Sequence, residues 1–171
     1  MSRVRLIDTR SDATDTQVEV FDHIASSRGG RMLRPYAAML HRPEIARITA
    51  DLGSVIRFSS QLSDRDRELV IATTAIERGC RFEWDAHHPL AVEAGVAAST
   101  MEAVEAGTAV TDQRDSDLVE FVRSLCRTGA VDDARFGAVS ELLSEEETVE
   151  LAAVVGFYSM LAVFMSAFDI C

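Results

Sequence analysis

The stretch from Glu68 to His88, ELVIATTAIERGCRFEWDAHH, constrains the fold of this chain more than any other. One glutamate is followed there by eight uncharged residues, Leu69 to Ile76. A helix that is apolar on every side is a buried helix. Glu68 is therefore expected to enter a low-dielectric interior, where a carboxylate must find a partner or keep its proton. Gly79 is expected to end this helix as a left-handed cap.

A second helix is predicted to begin at Cys80, directly after the glycine. Glu83, Trp84 and His87 follow Cys80 at i+3, i+4 and i+7, and at 3.6 residues per turn these four positions share one stripe. Glu83 and His87 are spaced so that their side chains can meet on the helix surface. The pattern thus predicts that a buried carboxylate faces a thiol, a second carboxylate and an imidazole.

Helical signals recur along the rest of the chain. Helix-period patterns and cap signals predict helices at about residues 12–26, 34–41, 43–59, 63–78, 80–95, 99–107, 112–127 and from 144 onward. Ser99 with Glu102 and Ser144 with Glu147 have the spacing of capping boxes, and Pro89 is expected to kink its helix or shift its start. No sustained alternating run suggests a strand.

The predicted fold is therefore an all-α single-domain bundle of about eight helices. Residues 1–27 would form an N-terminal arm and first helix, and residues 28–171 the main helical domain. The length of 171 residues is sufficient for one full hydrophobic core.

Composition excludes several functional classes. The net charge of −11 argues against nucleic-acid binding, which needs a basic surface. The chain has no lysine, so Schiff-base chemistry is not available to it, and the missing lysine and asparagine indicate a bacterial genome of high G+C content. Cys80, Cys126 and Cys171 form no CxxC pair, and the N-terminus has no secretory pattern, which favours a reduced cytoplasmic protein. No metal and no cofactor are expected.

The final helix contains 18 uncharged residues from Leu151 to Phe168, the lower limit for a membrane span. Acidic residues flank it, and the basic residues that orient membrane helices are missing. A core or subunit-interface helix is therefore predicted rather than a membrane anchor. Two helices without a charged face in so small a domain also predict an obligate oligomer.

The segment from Leu62 to Ala106, with ELVIATTAIERGCRFEWDAHHPLAVEAGV at its centre, resembles the carboxymuconolactone decarboxylase family, which includes the alkylhydroperoxidase D-like proteins. The segments Gly30 to Ala46 and Val155 to Phe164 also fit. The resemblance implies an all-helical fold that assembles as trimers or hexamers, with the site beside a subunit contact.

In the peroxidase-like branch of that family, a relay glutamate precedes a CxxC pair and a histidine follows. Glu68 matches the glutamate, Cys80 the first cysteine and His87 the histidine, whereas Glu83 occupies the position of the second cysteine. Without a resolving thiol, a dithiol–disulfide cycle cannot run within this motif. The decarboxylase branch, which works with acid/base groups on carboxylated lactones, suits these residues better.

The leading hypothesis is an enzyme that decarboxylates or isomerises a small cyclic acid or lactone. Glu68 and His87 would exchange protons with the substrate while Glu83 orients the imidazole, and Arg31 or Arg34 would hold a substrate carboxylate. Trp84 and His88 are further candidates for substrate contact, with core packing as the alternative for Trp84. A peroxide- or thiol-linked reductase using Cys80, and a non-catalytic oligomeric scaffold, remain the alternatives.

Overall fold

The computed structural model describes residues 2–170, and within that range all regular structure is helical. A short 3-10 helix, Arg10–Asp12, precedes nine α helices: α1 (Asp15–Ser26), α2 (Arg34–Met39), α3 (Pro43–Phe58), α4 (Asp64–Glu77), α5 (Arg81–Glu93), α6 (Ala98–Ala106), α7 (Gln113–Thr128), α8 (Asp133–Leu142) and α9 (Glu145–Ala167). The all-α prediction is confirmed. Helix α8 is the element that the sequence patterns did not predict.

The described residues form two compact units. The first contains residues 2–59 and 164–170, and in it α3 packs against α1 and α2. Pro35 and Pro43 stand in the first turns of α2 and α3, as predicted, because proline lacks the N–H that a first turn leaves unpaired anyway.

The second unit contains residues 60–163, and α4 is its central element. Helix α4 packs against α5, α6 and α7, and every residue from Asp66 to Ala75 is buried. The prediction of a buried helix is therefore confirmed. Thr73 and Thr74 do not leave unpaired hydroxyls in the core, since they donate to the carbonyls of Leu69 and Val70 at 2.7 and 2.8 Å.

The turn between α4 and α5 fixes how the two helices face each other. Gly79 has a φ of 64°, and the N–H of Cys80 reaches back to the carbonyl of Ala75 at 2.8 Å while that of Gly79 reaches Ile76 at 3.0 Å. These two bonds form a Schellman motif, which confirms the left-handed cap. Cys80 is the N-cap of α5, and the helix begins one residue later and continues through Pro89, so the proline does not shift its start.

One of the two predicted capping boxes is wrong. Helix α6 begins at Ala98 with Ala97 as N-cap, so Ser99 already lies inside the first turn and cannot cap it. The other box is confirmed: the N–H of Ser144 donates to Glu147 at 2.8 Å and the N–H of Glu147 donates to Ser144 at 3.2 Å.

Helix α9 is long and apolar enough to cross a membrane by length and composition, but half of its most apolar window is buried in the protein. A buried stripe that includes Leu151, Val154 and Tyr158 contrasts with Val149 and Val163, which are 71% and 63% exposed. A one-sided burial of this kind is typical of a core helix in a water-soluble protein.

Candidate functional site

The predicted stripe on α5 faces α4 inside the second unit. Glu68 of α4 and Glu83 and His87 of α5 are 3%, 5% and 3% exposed, so all three are buried ionisable groups. The Gly79 turn brings α5 back against α4, and this packing places the imidazole of His87 between the two carboxylates. Such an arrangement is costly unless the groups satisfy each other.

Each ring nitrogen of His87 faces one glutamate. Nδ1 lies 2.6 Å from Oε2 of Glu68, a short hydrogen bond across the helix pair. Nε2 lies 3.5 Å from Oε2 of Glu83, the i,i+4 neighbour on the same helix. Glu68 is therefore the tightly bound partner and Glu83 the looser one. The ring of Tyr158 from α9 packs edge-on against the imidazole with centroids 5.2 Å apart, which fixes the plane of the ring.

Arg67 supplies the positive charge of the cluster. Its guanidinium lies 3.3 Å from Oε1 of Glu68 and 2.9 Å from a carboxylate oxygen of Asp64. The arginine is itself 8% exposed. Oε1 of Glu68 faces Arg67 while Oε2 faces His87, so both oxygens of this buried side chain have a polar partner.

The pKa of His87 is raised above its ordinary value of 6.5. Burial of the ring lowers the pKa and is the largest single effect, but the hydrogen bonds and negative charges of Glu68 and Glu83 together outweigh it. The two glutamates therefore favour the imidazolium form, against the effect of burial. A buried imidazolium between two carboxylates can pass a proton in either direction, which is the basic requirement of an acid/base site.

The remaining predicted residues on α5 lie around this cluster. Cys80 is 1% exposed at the N-cap of α5, and Trp84 is 2% exposed. The predicted stripe of Cys80, Glu83, Trp84 and His87 is thus buried throughout. His88 points elsewhere, and its ring packs against Trp84 with centroids 4.9 Å apart.

Arg31 and Arg34, the predicted carboxylate-binding residues, are exposed residues of the first unit. Arg34 is the first residue of α2, and Arg31 lies three residues before it. Their predicted role in holding a substrate carboxylate stays a prediction.

Cys126 does not join the site. Cys126 is a free, buried thiol on α7, and burial raises its pKa, so it is a poor nucleophile. Cys171 lies outside the described residues. Among residues 2–170, no group of three or more His, Cys, Asp or Glu is arranged to hold a metal ion.

Sequence reasoning missed two members of the site and one neighbouring cluster. Arg67 and Tyr158 carry no motif, and their positions beside Glu68 and His87 follow from packing alone. The missed cluster is an ion-pair network in which Arg65 contacts Asp115 at 2.8 Å and Arg114 contacts Asp66 at 2.6 Å. It joins the first turns of α4 and α7 and so anchors the end of α4 that carries Glu68.

Comparisons with known proteins bear on the family and the fold of this chain. Residues 43–116 match the model of the carboxymuconolactone decarboxylase family, which confirms the resemblance seen in the sequence. The match includes Glu68, Cys80, Glu83 and His87. No curated protein of similar sequence was found.

Solved structures share the fold at low sequence identity. A complex of the debrominase Bmp8 with 2,3,4-tribromopyrrole is 18% identical, with a TM-score of 0.75 over 99% of this chain and 92% of the other. An alkylhydroperoxidase AhpD core protein from Ralstonia eutropha JMP134, described as peroxidase-related, is 16% identical, with a TM-score of 0.77 over 99% and 91%. A peroxidase-related protein from Silicibacter sp. TM1040 is 17% identical, with a TM-score of 0.77 over the same shares. The alkylhydroperoxidase D-like fold is therefore established.

Proposed function

We propose that this chain, whose residues 43–116 belong to the carboxymuconolactone decarboxylase family, is an enzyme that transfers protons to or from a small substrate. The observation that carries the proposal is the imidazole of His87 held between two buried carboxylates. One of these, Glu83, stands where the peroxidase-like branch has its second cysteine. The series of hydrogen-bonding side chains that would lead from the glutamate through the histidine to a thiol in that branch leads here to a carboxyl group.

The geometry supports a different division of roles from the one expected from sequence. Glu68 is the orienting group, because its 2.6 Å hydrogen bond to Nδ1 and its pairing with Arg67 fix it on both sides. Glu83 is the substrate-facing group, because its 3.5 Å separation from Nε2 is loose enough to close when a substrate binds. His87 then supplies or accepts the proton that Glu83 exchanges with the substrate.

This arrangement suits decarboxylation or isomerisation of a small cyclic acid or lactone. Both reactions need a proton delivered to, or removed from, a carbon next to a carbonyl group, and neither needs a metal or a thiol. A site shielded from bulk water strengthens the interactions among its charged groups. Arg67 already pairs with Asp64 and Glu68, so a substrate carboxylate would have to be held by another donor.

The test is a turnover screen with three proteins: the wild type, Glu83→Gln and Cys80→Ser. Carboxylated lactones are supplied, and carbon dioxide release and the loss of lactone absorbance are followed. Glu83→Gln is expected to lower the rate by about 10²- to 10⁴-fold, the usual contribution of a positioned acid or base. Cys80→Ser is expected to retain most of the activity. Wild-type rates in Glu83→Gln would rule out this role for Glu83.

The second candidate is a thiol-dependent peroxide reductase, and the position of Cys80 favours it. Cys80 caps the N-terminus of α5, where the helix dipole stabilises a thiolate. Such an enzyme would need an external thiol to complete its cycle. Reduction of an alkyl hydroperoxide with added dithiol, lost in Cys80→Ser and kept in Glu83→Gln, is the result that would select it.

The scaffold alternative predicts that neither screen detects turnover. The second unit has a cleft of about 570 Å³ lined by residues of α7, α8 and α9, among them Phe121, Phe136 and Val149. Because Glu68, Glu83 and His87 do not line this cleft, it does not distinguish an enzyme from a scaffold. A cytoplasmic location of the protein stays a prediction.

A further inference from the structure

The outer face of α3 is an unusual surface for a water-soluble protein. Five large apolar side chains on this helix are 47% to 70% exposed: Ile45, Ile48, Leu52, Val55 and Phe58. They make up half of the ten exposed large hydrophobic residues in the described part of the chain. At 100° per residue, the first four lie within an arc of about 80°. We call these five residues the α3 seam.

The α3 seam is not the face by which α3 holds its own unit together. Ala46, Thr49, Ala50, Gly53 and Ile56 are the buried residues of α3, and this face packs against α1 and α2. The helix therefore has two apolar faces, and only one of them is covered in the single chain. A contiguous apolar face of this kind marks an interaction surface.

We propose that the α3 seam binds the α3 seam of a second copy of this chain, with the two helices antiparallel and related by a two-fold axis that crosses them at the level of residue 50. The proposal is independent of the proposed enzymatic function. Two-fold contacts require a surface that is complementary to itself, and the spacing of the seam has this property.

The self-complementarity follows from the intervals between the seam residues. Ile45, Ile48, Leu52 and Val55 are separated by three, four and three residues, an order that reads the same in both directions. In an antiparallel pair centred on residue 50, Ile45 of one copy therefore lies opposite Val55 of the other, and Ile48 opposite Leu52. This is the a-to-d pairing of an antiparallel helix pair with a small crossing angle.

Phe58 extends the seam by one turn beyond Val55. The guanidinium of Arg57 in the same chain lies 5.9 Å from the centre of its ring, a cation–π contact within the chain.

The size of the surface is sufficient for a specific contact. With fractional exposures of 47% to 70%, the five residues present roughly 500 Å² per copy, so a symmetric contact buries on the order of 1,000 Å² in total, about the lower bound for a biological interface. Asp51, which borders the seam, is paired with His23 of its own chain at 2.5 Å.

A membrane surface is a poorer occupant of the seam. Amphipathic helices that lie on membranes are rich in Lys and Arg on the polar face. Helix α3 has two acidic residues, Glu44 and Asp51, against two arginines, Arg47 and Arg57, and the whole chain has a net charge of −11. Anionic lipid would repel such a protein.

The first experiment measures molar mass by light scattering for the full chain and two variants. The wild type is expected to contain an even number of 18.7 kDa copies, and Ile48→Glu is expected to halve that mass. Ile48 is 70% exposed, so the added charge should not disturb folding, which circular dichroism checks. Val92→Glu, at a 42% exposed apolar position on α5, is the matched control and should keep the wild-type mass.

The second experiment tests the register by disulfide trapping in a Cys171→Ser background. Ile45→Cys and Val55→Cys are expected to cross-link when mixed, because residues 45 and 55 lie opposite each other. Each should remain uncross-linked alone, because two copies of residue 45 would stand about 15 Å apart along the axis. Linked peptides are identified by mass spectrometry.

Three results would overturn the proposal. One is an unchanged mass in Ile48→Glu. Another is self-linking of Ile45→Cys in preference to the mixed pair, which would indicate parallel helices. The third is a monomeric wild type, because a seam that binds lipid or another protein leaves the chain alone in solution. Flotation of that monomer with phosphatidylcholine–phosphatidylglycerol vesicles, lost in Ile48→Glu, would identify lipid as the occupant.

Discussion

At the scale of single residues, His87 and its two glutamates are the buried ionisable groups whose loss of hydration matters most for this protein. Two buried carboxylates hold this imidazole, at 2.6 Å and 3.5 Å from its two nitrogens. A buried charged group is tolerated only where partners replace the lost hydration. The protonation of His87 is therefore coupled to folding as well as to the proposed chemistry, and the coupling has a definite sign.

Stability should fall as pH rises through the folded pKa of His87. The pKa of His87 in the folded protein is raised above the ordinary value of 6.5. Between pH 6.5 and the folded pKa, the native state therefore holds a proton on His87 that the unfolded state has released. The stabilisation is fully present below pH 6.5 and is lost above the raised pKa. Urea unfolding of the wild type and His87→Gln, from about pH 6 to pH 9, should show the difference between the two shrinking with pH. A difference that grows with pH would contradict the assigned charge state.

Arg67 should be far more important for stability than a surface arginine. Its removal takes the guanidinium away from Oε1 of the buried Glu68, and breaking a buried pair in this way costs about 3–5 kcal/mol. Arg67→Met is therefore expected to lower the free energy of unfolding by this amount. Arg81→Met is the control, because Arg81 contacts Asp85 and Glu105 at 2.7 and 2.6 Å on the open surface, where solvent screens the pairs. Equal losses in the two variants would refute the assignment of Arg67 as a buried counter-ion.

At the scale of elements, the junction of α4 and α5 determines which residues meet. The Gly79 cap turns the chain so that Cys80 becomes the N-cap of α5 and residue 83 comes one turn later on the same stripe. The junction is thus suited to a pair of thiols at positions 80 and 83, although this sequence supplies only the first. Whether a disulfide can form at the junction should therefore depend on the residue at position 83.

Glu83→Cys should create a disulfide with Cys80. Thiols at i and i+3 of a helix start can be bridged, as in CxxC motifs, whereas the wild type is expected to form no bridge between Cys80 and Cys126. Mild oxidation followed by mass spectrometry of the peptides is the measurement. Asp85→Cys is the matched control, because residue 85 is exposed and points away from the stripe. Two free thiols in oxidised Glu83→Cys would show that the junction does not bring these positions together.

At the scale of the whole molecule, the uncovered apolar faces predict an oligomer. The outer side of α9 exposes Val149, Met160 and Val163, in addition to the α3 seam. A monomer with both faces in water would be prone to aggregate. Light scattering at micromolar concentration is expected to give a multiple of 18.7 kDa. A stable, soluble species of that mass would show that neither face needs a partner, and would contradict the oligomer predicted from sequence.

What the sequence determined by itself is local. The all-α fold, the burial of α4, the Gly79 cap and the shared stripe of Glu83 and His87 all follow from helical periodicity and cap chemistry, which act over a few residues. The same reasoning placed Ser99 wrongly and missed α8, because a cap signal can lie inside a turn and a helix of weak periodicity gives little pattern.

The tertiary structure decided how the elements meet. Periodicity shows that a face is apolar, but only packing shows which apolar face is covered, and so the exposed seam of α3 became visible only in the fold. It likewise showed that Glu68 rather than Glu83 binds His87 tightly, and that Arg67 lies inside the protein beside Glu68. Contacts between residues distant in sequence depend on the relative positions of whole helices, which side-chain packing determines and local patterns do not specify.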